Sequence, residues 1–167
     1  MKLETAKVLV TGGSSGIGLA TAKHLAAAGA RVAICGRRAQ TIEAAARASG
    51  AVPIVADVSS EDDVERMVAT VVRELGGDDT LINNAGFGRV APLRETTVAD
   101  FRSVWETNVL GAMLAARESA RHFVAQRRGN IVNVASTSGQ RGGAGGSAYA
   151  SSKFALAGLT QVWRAEL

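Results

Sequence analysis

The chain has 167 residues, 47% of them apolar and 20% charged, which is the size of one domain and excludes a disordered chain. Its single cysteine, Cys35, excludes an intramolecular disulfide and a cysteine-rich metal site, and no metal site is expected. No apolar run approaches the ~18 residues of a membrane span and no secretory leader pattern follows Met1, so a soluble, cytoplasmic protein is expected with no membrane partner.

The net charge of +4 is spread thinly, with Arg37-Arg38 and Arg127-Arg128 only as pairs. That pattern suits a solvated surface better than a nucleic-acid interface. Nineteen glycines against two prolines indicate tight turns and close backbone approaches, and a core poor in aromatics suits a helix-covered parallel sheet.

Strand and helix patterns alternate along the chain. Lys7 to Thr11 reads as a strand and Ile17 to about Ala28 as a helix stopped by Gly29. Arg31 to Cys35 is a second strand, whose cysteine is expected to be a buried, inert thiol. A helix over Ala39 to Ala48 and a strand over Val52 to Ala56 follow. Val64, Met67, Val68, Val71, Val72 and Leu75 fall at helical spacing after Ser59-Ser60, with acidic residues in the first turn. Thr80 to Asn83 and Asn130 to Ala135 are strands, separated by one long helix from Asp100 to about Arg127. The spacing predicts right-handed βαβ units, a parallel sheet and a single α/β domain over residues 1–167.

Thr11-Gly12-Gly13-Ser14-Ser15-Gly16-Ile17-Gly18 lies between the first strand and the first helix. Glycines there let the backbone approach a pyrophosphate, and the helix N-terminus offers unpaired N–H groups; a plain flexible turn is the other reading. The second strand ends at Gly36, where a carboxylate would bind an NAD ribose, and Arg37-Arg38 follow. Two guanidinium groups suit a 2′-phosphate, or form an ordinary charged loop.

Tyr149, the only tyrosine, stands four residues before Lys153, so a helix puts both on one face. An ammonium held near a phenol favours the phenolate and so suits a general acid/base. A surface pair would look the same, but here the pair follows a strand-like segment ending at Ser136, and strand tips are where α/β sites form. Phe101, Val104, Trp105, Asn108, Ala112 and Ala115 share one helical stripe, which would turn Asn108 to the core. Asn83 reads equally as a strand cap and Asp57 as a turn residue.

The glycine loop, Asp57-Val58, Asn83-Asn84-Ala85-Gly86, Asn108 with Gly111, Ser136, and Tyr149-Ala-Ser-Ser-Lys153 together resemble the short-chain dehydrogenase/reductase family of the Tyr-x-x-x-Lys type, over essentially the whole chain. The resemblance implies a Rossmann-type doubly wound sheet of about five strands in the order 3-2-1-4-5, and an NADP-dependent oxidoreductase interconverting a carbonyl and an alcohol. It implies that Tyr149 is the general acid/base, that Ser136 hydrogen-bonds the reacting oxygen, and that Lys153 holds the nicotinamide ribose. It implies that Asn108 keeps a helix distortion in a proton relay. Gly12, Ser14, Ser15, Gly16, Ile17 and Gly18 would line the pyrophosphate, Arg37 and Arg38 the 2′-phosphate, Asp57 and Val58 the adenine, and Asn84, Ala85 and Gly86 the ribose end.

Family members run about half again as long, so the last two strands and the substrate loop are expected to be missing here, leaving the Ile131–Val134 strand at an edge. Two functional readings follow: a carbonyl/alcohol oxidoreductase with a small-molecule substrate, or a nucleotide-binding remnant without turnover. Homo-oligomerisation is expected through the helices carrying Asn108 and Tyr149, with Ala112 to Ala120 and Ala155 to Leu159 allowing close packing.

Overall fold

The structure, a computed structural model, describes residues 2–167. Five strands, β1 (Lys7–Thr11), β2 (Arg31–Gly36), β3 (Val52–Val55), β4 (Thr80–Asn83) and β5 (Asn130–Asn133), form one sheet in the order β3-β2-β1-β4-β5. Every pairing is parallel, with Val10 beside Ile34 on one side and Ile82 on the other. This is the doubly wound Rossmann-type arrangement. Two strands end earlier than their apolar patterns suggest, β3 at Val55 and β5 at Asn133. Val134 nevertheless still donates its N–H to the Asn83 carbonyl.

The intervening helices are α1 (Gly16–Ala27), α2 (Ala39–Ser49), α3 (Glu61–Leu75), α4 (Val98–Trp105), α5 (Gly111–Gln126) and α6 (Ser147–Glu166). Strand side chains alternate between faces, so each strand feeds two cores. Leu9, Cys35 and Leu81 pack with Met67, Val71, Leu114 and Phe123 of α3 and α5 on one face. Val8, Val10 and Ile34 pack with Ala22 and Ile42 of α1 and α2 on the other. Each fully buried branched side chain contributes roughly 1.5–3 kcal/mol through removal of apolar area from water. Cys35 is buried as expected, and desolvation pushes its thiol up to about 11.

The long helix from Asp100 to Arg127 is not regular. It starts at Val98, because the Thr97 hydroxyl caps it by accepting from the Asp100 amide at 3.0 Å. A π turn, Glu106–Leu110, then separates α4 from α5 and carries Asn108. One extra residue in a turn re-aims the side chains around it, and such bulges gather at functional sites. The apolar stripe also divides there: Val104, Asn108, Ala112 and Ala115 are buried, whereas Phe101 is 38% exposed and stacks on Trp105 with ring centroids 5.6 Å apart. Ala112, Ala115 and Ala116 are buried within the chain, the last two in the core beside Leu114 and Phe123.

Candidate active site

The site forms along the carboxyl ends of β1, β4 and β5, where parallel sheets place their ligands. At β1, the backbone turns sharply at Gly12, whose φ of +65° is costly for residues with a side chain. A Cβ at Gly12 would stand 2.8 Å from the Ala85 Cα, so only glycine lets this loop sit against the end of β4. At Gly18 a Cβ would fall 2.4 Å from the Gly12 carbonyl oxygen, which closes α1 onto the loop. Ser14 packs beside Gly36, its hydroxyl 3.5 Å from where a Cβ would be. Ser15, Gly16 and Ile17 are exposed. Ser15 precedes α1 without capping it through its side chain, so the first amides of α1 keep their hydrogen-bonding capacity for an anion.

Thr11, a residue of the loop motif given no role from sequence, organises the junction of β1 and β4. Its buried hydroxyl donates to the Ile82 carbonyl and accepts from the amides of Asn84 and Ala85, both at 3.0 Å. The Asn84 side chain donates to the carbonyls of Thr11 (2.9 Å) and Gly12 (3.1 Å), tying the glycine loop to β4. Asn83 is more than a strand cap: its amide donates to the Ala112 carbonyl and to the Asn133 side chain, which in turn reaches Thr160 of α6. Asp57 accepts from the amide and hydroxyl of Ser59, and its carboxylate lies 3.9 Å from the Arg37 guanidinium. Arg37 and Arg38 are both exposed at the end of β2, and Val58 is buried against Gly111.

Asn108 spends its side chain inside the protein. It is 1% exposed, accepts from the Phe87 amide, and donates to the Phe87 carbonyl and the Ser152 hydroxyl. The π turn is thereby fastened to the segment after β4 and to α6. Gly86 passes beneath it, with room for a Cβ only 3.0 Å from the Asn108 Oδ1.

Tyr149 and Lys153 lie on α6 as the i, i+4 spacing requires, with the Lys153 Nζ 5.8 Å from the centre of the Tyr149 ring. Lys153 is buried, donates to the Val134 carbonyl at 2.7 Å, and holds its proton less tightly than a free lysine because burial penalises the charge. Ser136, half-buried just past β5, accepts from the Ser138 amide at 3.1 Å, which orients its hydroxyl oxygen. The ring of Tyr149 lies against Gly88, where a Cβ would come within 3.2 Å. Along this edge of the sheet the chain offers a phenol and a buried ammonium on one face of α6, a hydroxyl just past β5, and at the end of β1 a helix N-terminus without a side-chain cap.

The family model for short chain dehydrogenases matches residues 6–167. Gluconate 5-dehydrogenase of Gluconobacter oxydans (strain 621H) is 39% identical over 164 residues, covering 95% of this chain and 64% of that protein. Among solved structures, NAD+-bound xylitol dehydrogenase superposes with a TM-score of 0.91 at 38% identity, covering 97% of this chain and 65% of that one. A short-chain dehydrogenase from Burkholderia cenocepacia J2315 in complex with NADP gives a TM-score of 0.91 at 37% identity, covering all of this chain and 70% of that one. The chain spans about half to two thirds of the length of the curated relatives it matches. By its loop, its strand order and a family match reaching from residue 6 to residue 167, the chain belongs to the short-chain dehydrogenase family.

Proposed function

We propose that the chain carries the catalytic centre of an NADP-dependent oxidoreductase that interconverts a carbonyl and an alcohol. The observation that carries this reading is the buried Lys153, clasped by the Val134 carbonyl and aligned under Tyr149 on one face of α6. The dinucleotide, when bound, supplies or receives the hydride. Tyr149 donates the proton to the carbonyl oxygen in reduction, or takes it from the alcohol in oxidation. The Ser136 hydroxyl hydrogen-bonds the same oxygen and fixes its position. The Lys153 ammonium stabilises negative charge on the phenol oxygen and holds the ribose.

The residues fit such a cofactor. Gly16 has a positive φ of 54° and open space around it, and Ile17 beside it is 65% exposed, so the loop presents backbone rather than side chains. The first amides of α1 are suited to the pyrophosphate, with Gly12, Ser14, Ser15 and Gly18 shaping the loop. Asp57 and Val58 would flank the adenine, and Asn84, Ala85 and Gly86 the ribose end. With no carboxylate at Gly36 and with Arg37 and Arg38 exposed next to it, a 2′-phosphate is favoured over a 2′-hydroxyl. Self-association through α4, the π turn and α6 fits the exposed Phe101, Leu110 and Phe154 there.

The test is NADPH oxidation with a panel of simple linear and cyclic ketones, alongside NADPH binding. Tyr149→Phe is expected to lower kcat by roughly 10²- to 10⁴-fold with NADPH affinity nearly unchanged, and Lys153→Ala to damage both. Activity should fall on the alkaline side below the usual lysine range, because burial weakens Lys153's hold on its proton and the ammonium is the working form. NADPH binding with no turnover of any ketone would leave a nucleotide-binding remnant instead.

A further inference from the structure

We propose that Ser152 is a positioning residue that sets the rotation of α6, and with it the aim of Tyr149 and Lys153; this rests on the catalytic reading above. Ser152 is fully buried, and its hydroxyl is used twice, accepting from the Asn108 Nδ2 at 3.0 Å and donating to the Tyr149 carbonyl at 2.7 Å. Its neighbour Ser151 is held from the same side, accepting from the Trp105 Nε1 at 3.1 Å while donating to the Ser147 carbonyl. Both serines lie between Tyr149 and Lys153. Consecutive residues point about 100° apart around a helix, so two bonds to adjacent positions fix rotation as well as translation, where one bond would leave a swivel.

The apolar packing of α6 does not supply that register. Its buried positions near the site are Ala148, Ala150 and Leu156, and alanines make shallow ridges that let a neighbouring helix slide and turn. The tolerances are nevertheless narrow. The Tyr149 ring sits against Gly88, and a Cβ at Gly139 would lie 2.8 Å from the Lys153 carbonyl oxygen. On the far side Lys153 must still reach Val134. A rotation of α6 therefore carries both side chains away from these contacts together. The Ser152 clasp runs through Asn108, so the π turn, the helix and the segment after β4 move as one piece.

Tyr149 being the only tyrosine, 3-fluorotyrosine incorporation places one ¹⁹F reporter on the reactive ring, readable without turnover. Ser152→Ala should shift or broaden that single resonance, lower kcat about 10- to 100-fold and raise the KM for NADPH, since Lys153 moves with Tyr149, with the unfolding transition still cooperative. An unchanged resonance, or wild-type kcat in Ser152→Ala, overturns the proposal. Should Ser152→Ala fail to fold, Ser152→Cys keeps the volume and weakens both bonds, and the same two readouts decide. Tyr149→Phe assayed in parallel separates the claims: if it keeps turnover, the catalytic reading falls, whereas its loss beside a wild-type Ser152→Ala removes the positioning role alone.

Discussion

The two ends of the β4 strand differ in how far their buried polar groups are paired: at the carboxyl end the Asn83 Oδ1 alone is left without a partner among the described residues, whereas at the amino end a whole carboxylate is. At the carboxyl end, Thr11 and Asn84 bond each other across β1 and β4, and Asn108 separately bonds Phe87 and Ser152, fastening the π turn to the segment after β4 and to α6. At the amino end, Asp78 is 1% exposed, and neither of its carboxylate oxygens makes a well-formed hydrogen bond among the described residues. Burial pushes that carboxyl up to about 6; the Ser119 hydroxyl, His122 and the Thr80 amide pull the other way, and the charge of Asp79 adds to the rise. Asp79, next to it, is supplied with the Lys7 amide and the Arg128 guanidinium at 3.2 Å each. A satisfied polar network rigidifies its surroundings, whereas a half-satisfied buried charge costs stability. The site end is therefore the end more firmly held, and the opposite end carries a cost that its neighbours relieve only in part.

Breaking the satisfied end should give the largest change in stability. Thr11→Val keeps the shape but strands the amides of Asn84 and Ala85, and a loss of roughly 2–4 kcal/mol is expected in denaturant unfolding, at about 1–3 kcal/mol for each orphaned group. A loss below about 1 kcal/mol would mean that the junction of β1 and β4 is held by packing alone.

Relieving the other end should act in the opposite direction and depend on pH. In the folded chain Asp78 keeps its proton up to about pH 6, whereas the unfolded chain releases it near the ordinary carboxylate value of 3.8. The stabilising preference for the protonated form is complete below that lower value and is lost as the pH climbs to about 6. Asp78→Asn should therefore stabilise the protein by about 1–3 kcal/mol above pH 6, with the gain fading at pH 4. Thermal unfolding of both proteins across that range checks it, and a gain that does not vary with pH would assign the effect to packing.

A smaller effect belongs to the rim. Arg37 is mostly exposed and only loosely paired with Asp57, so Arg37→Ala should leave stability unchanged while weakening NADPH binding by roughly tenfold and NADH binding far less. Equal losses for the two cofactors would remove the 2′-phosphate role.

The parts legible in the sequence are those written in period or in composition. Apolar runs alternating with helical patterns gave all five strands, and Tyr149 with Lys153 at four-residue spacing gave the face of α6 on which the proposed centre stands. The parts not legible depend on partners far apart in the chain. Ser152 meets Asn108 across 44 residues and Thr11 meets Ala85 across 74, and no local pattern records either meeting. The stripe through Asn108 has unbroken helical spacing, so the π turn at 106–110 came only through the family resemblance. The stretch from Ala112 to Ala120 reads as allowing subunit packing, and within it Ala115 and Ala116 join the chain's own core with Leu114 and Phe123. Nothing in the sequence assigns Asp78 a role, and it is buried with Ser119 and His122 of α5 beside it.

The central proposal is that the rigid end of the sheet would hold a nicotinamide cofactor and a carbonyl in register for hydride transfer, with Tyr149 supplying the proton. The most direct measurement is to incubate the protein with NADPH deuterated at the nicotinamide C4 and a cyclic ketone, and to weigh the alcohol by mass spectrometry. The account predicts alcohol carrying one deuterium on the carbinol carbon from the wild-type chain and none above background from Tyr149→Phe. Deuterated alcohol in equal amounts from both proteins, or NADPH binding with no labelled alcohol from either, would contradict it.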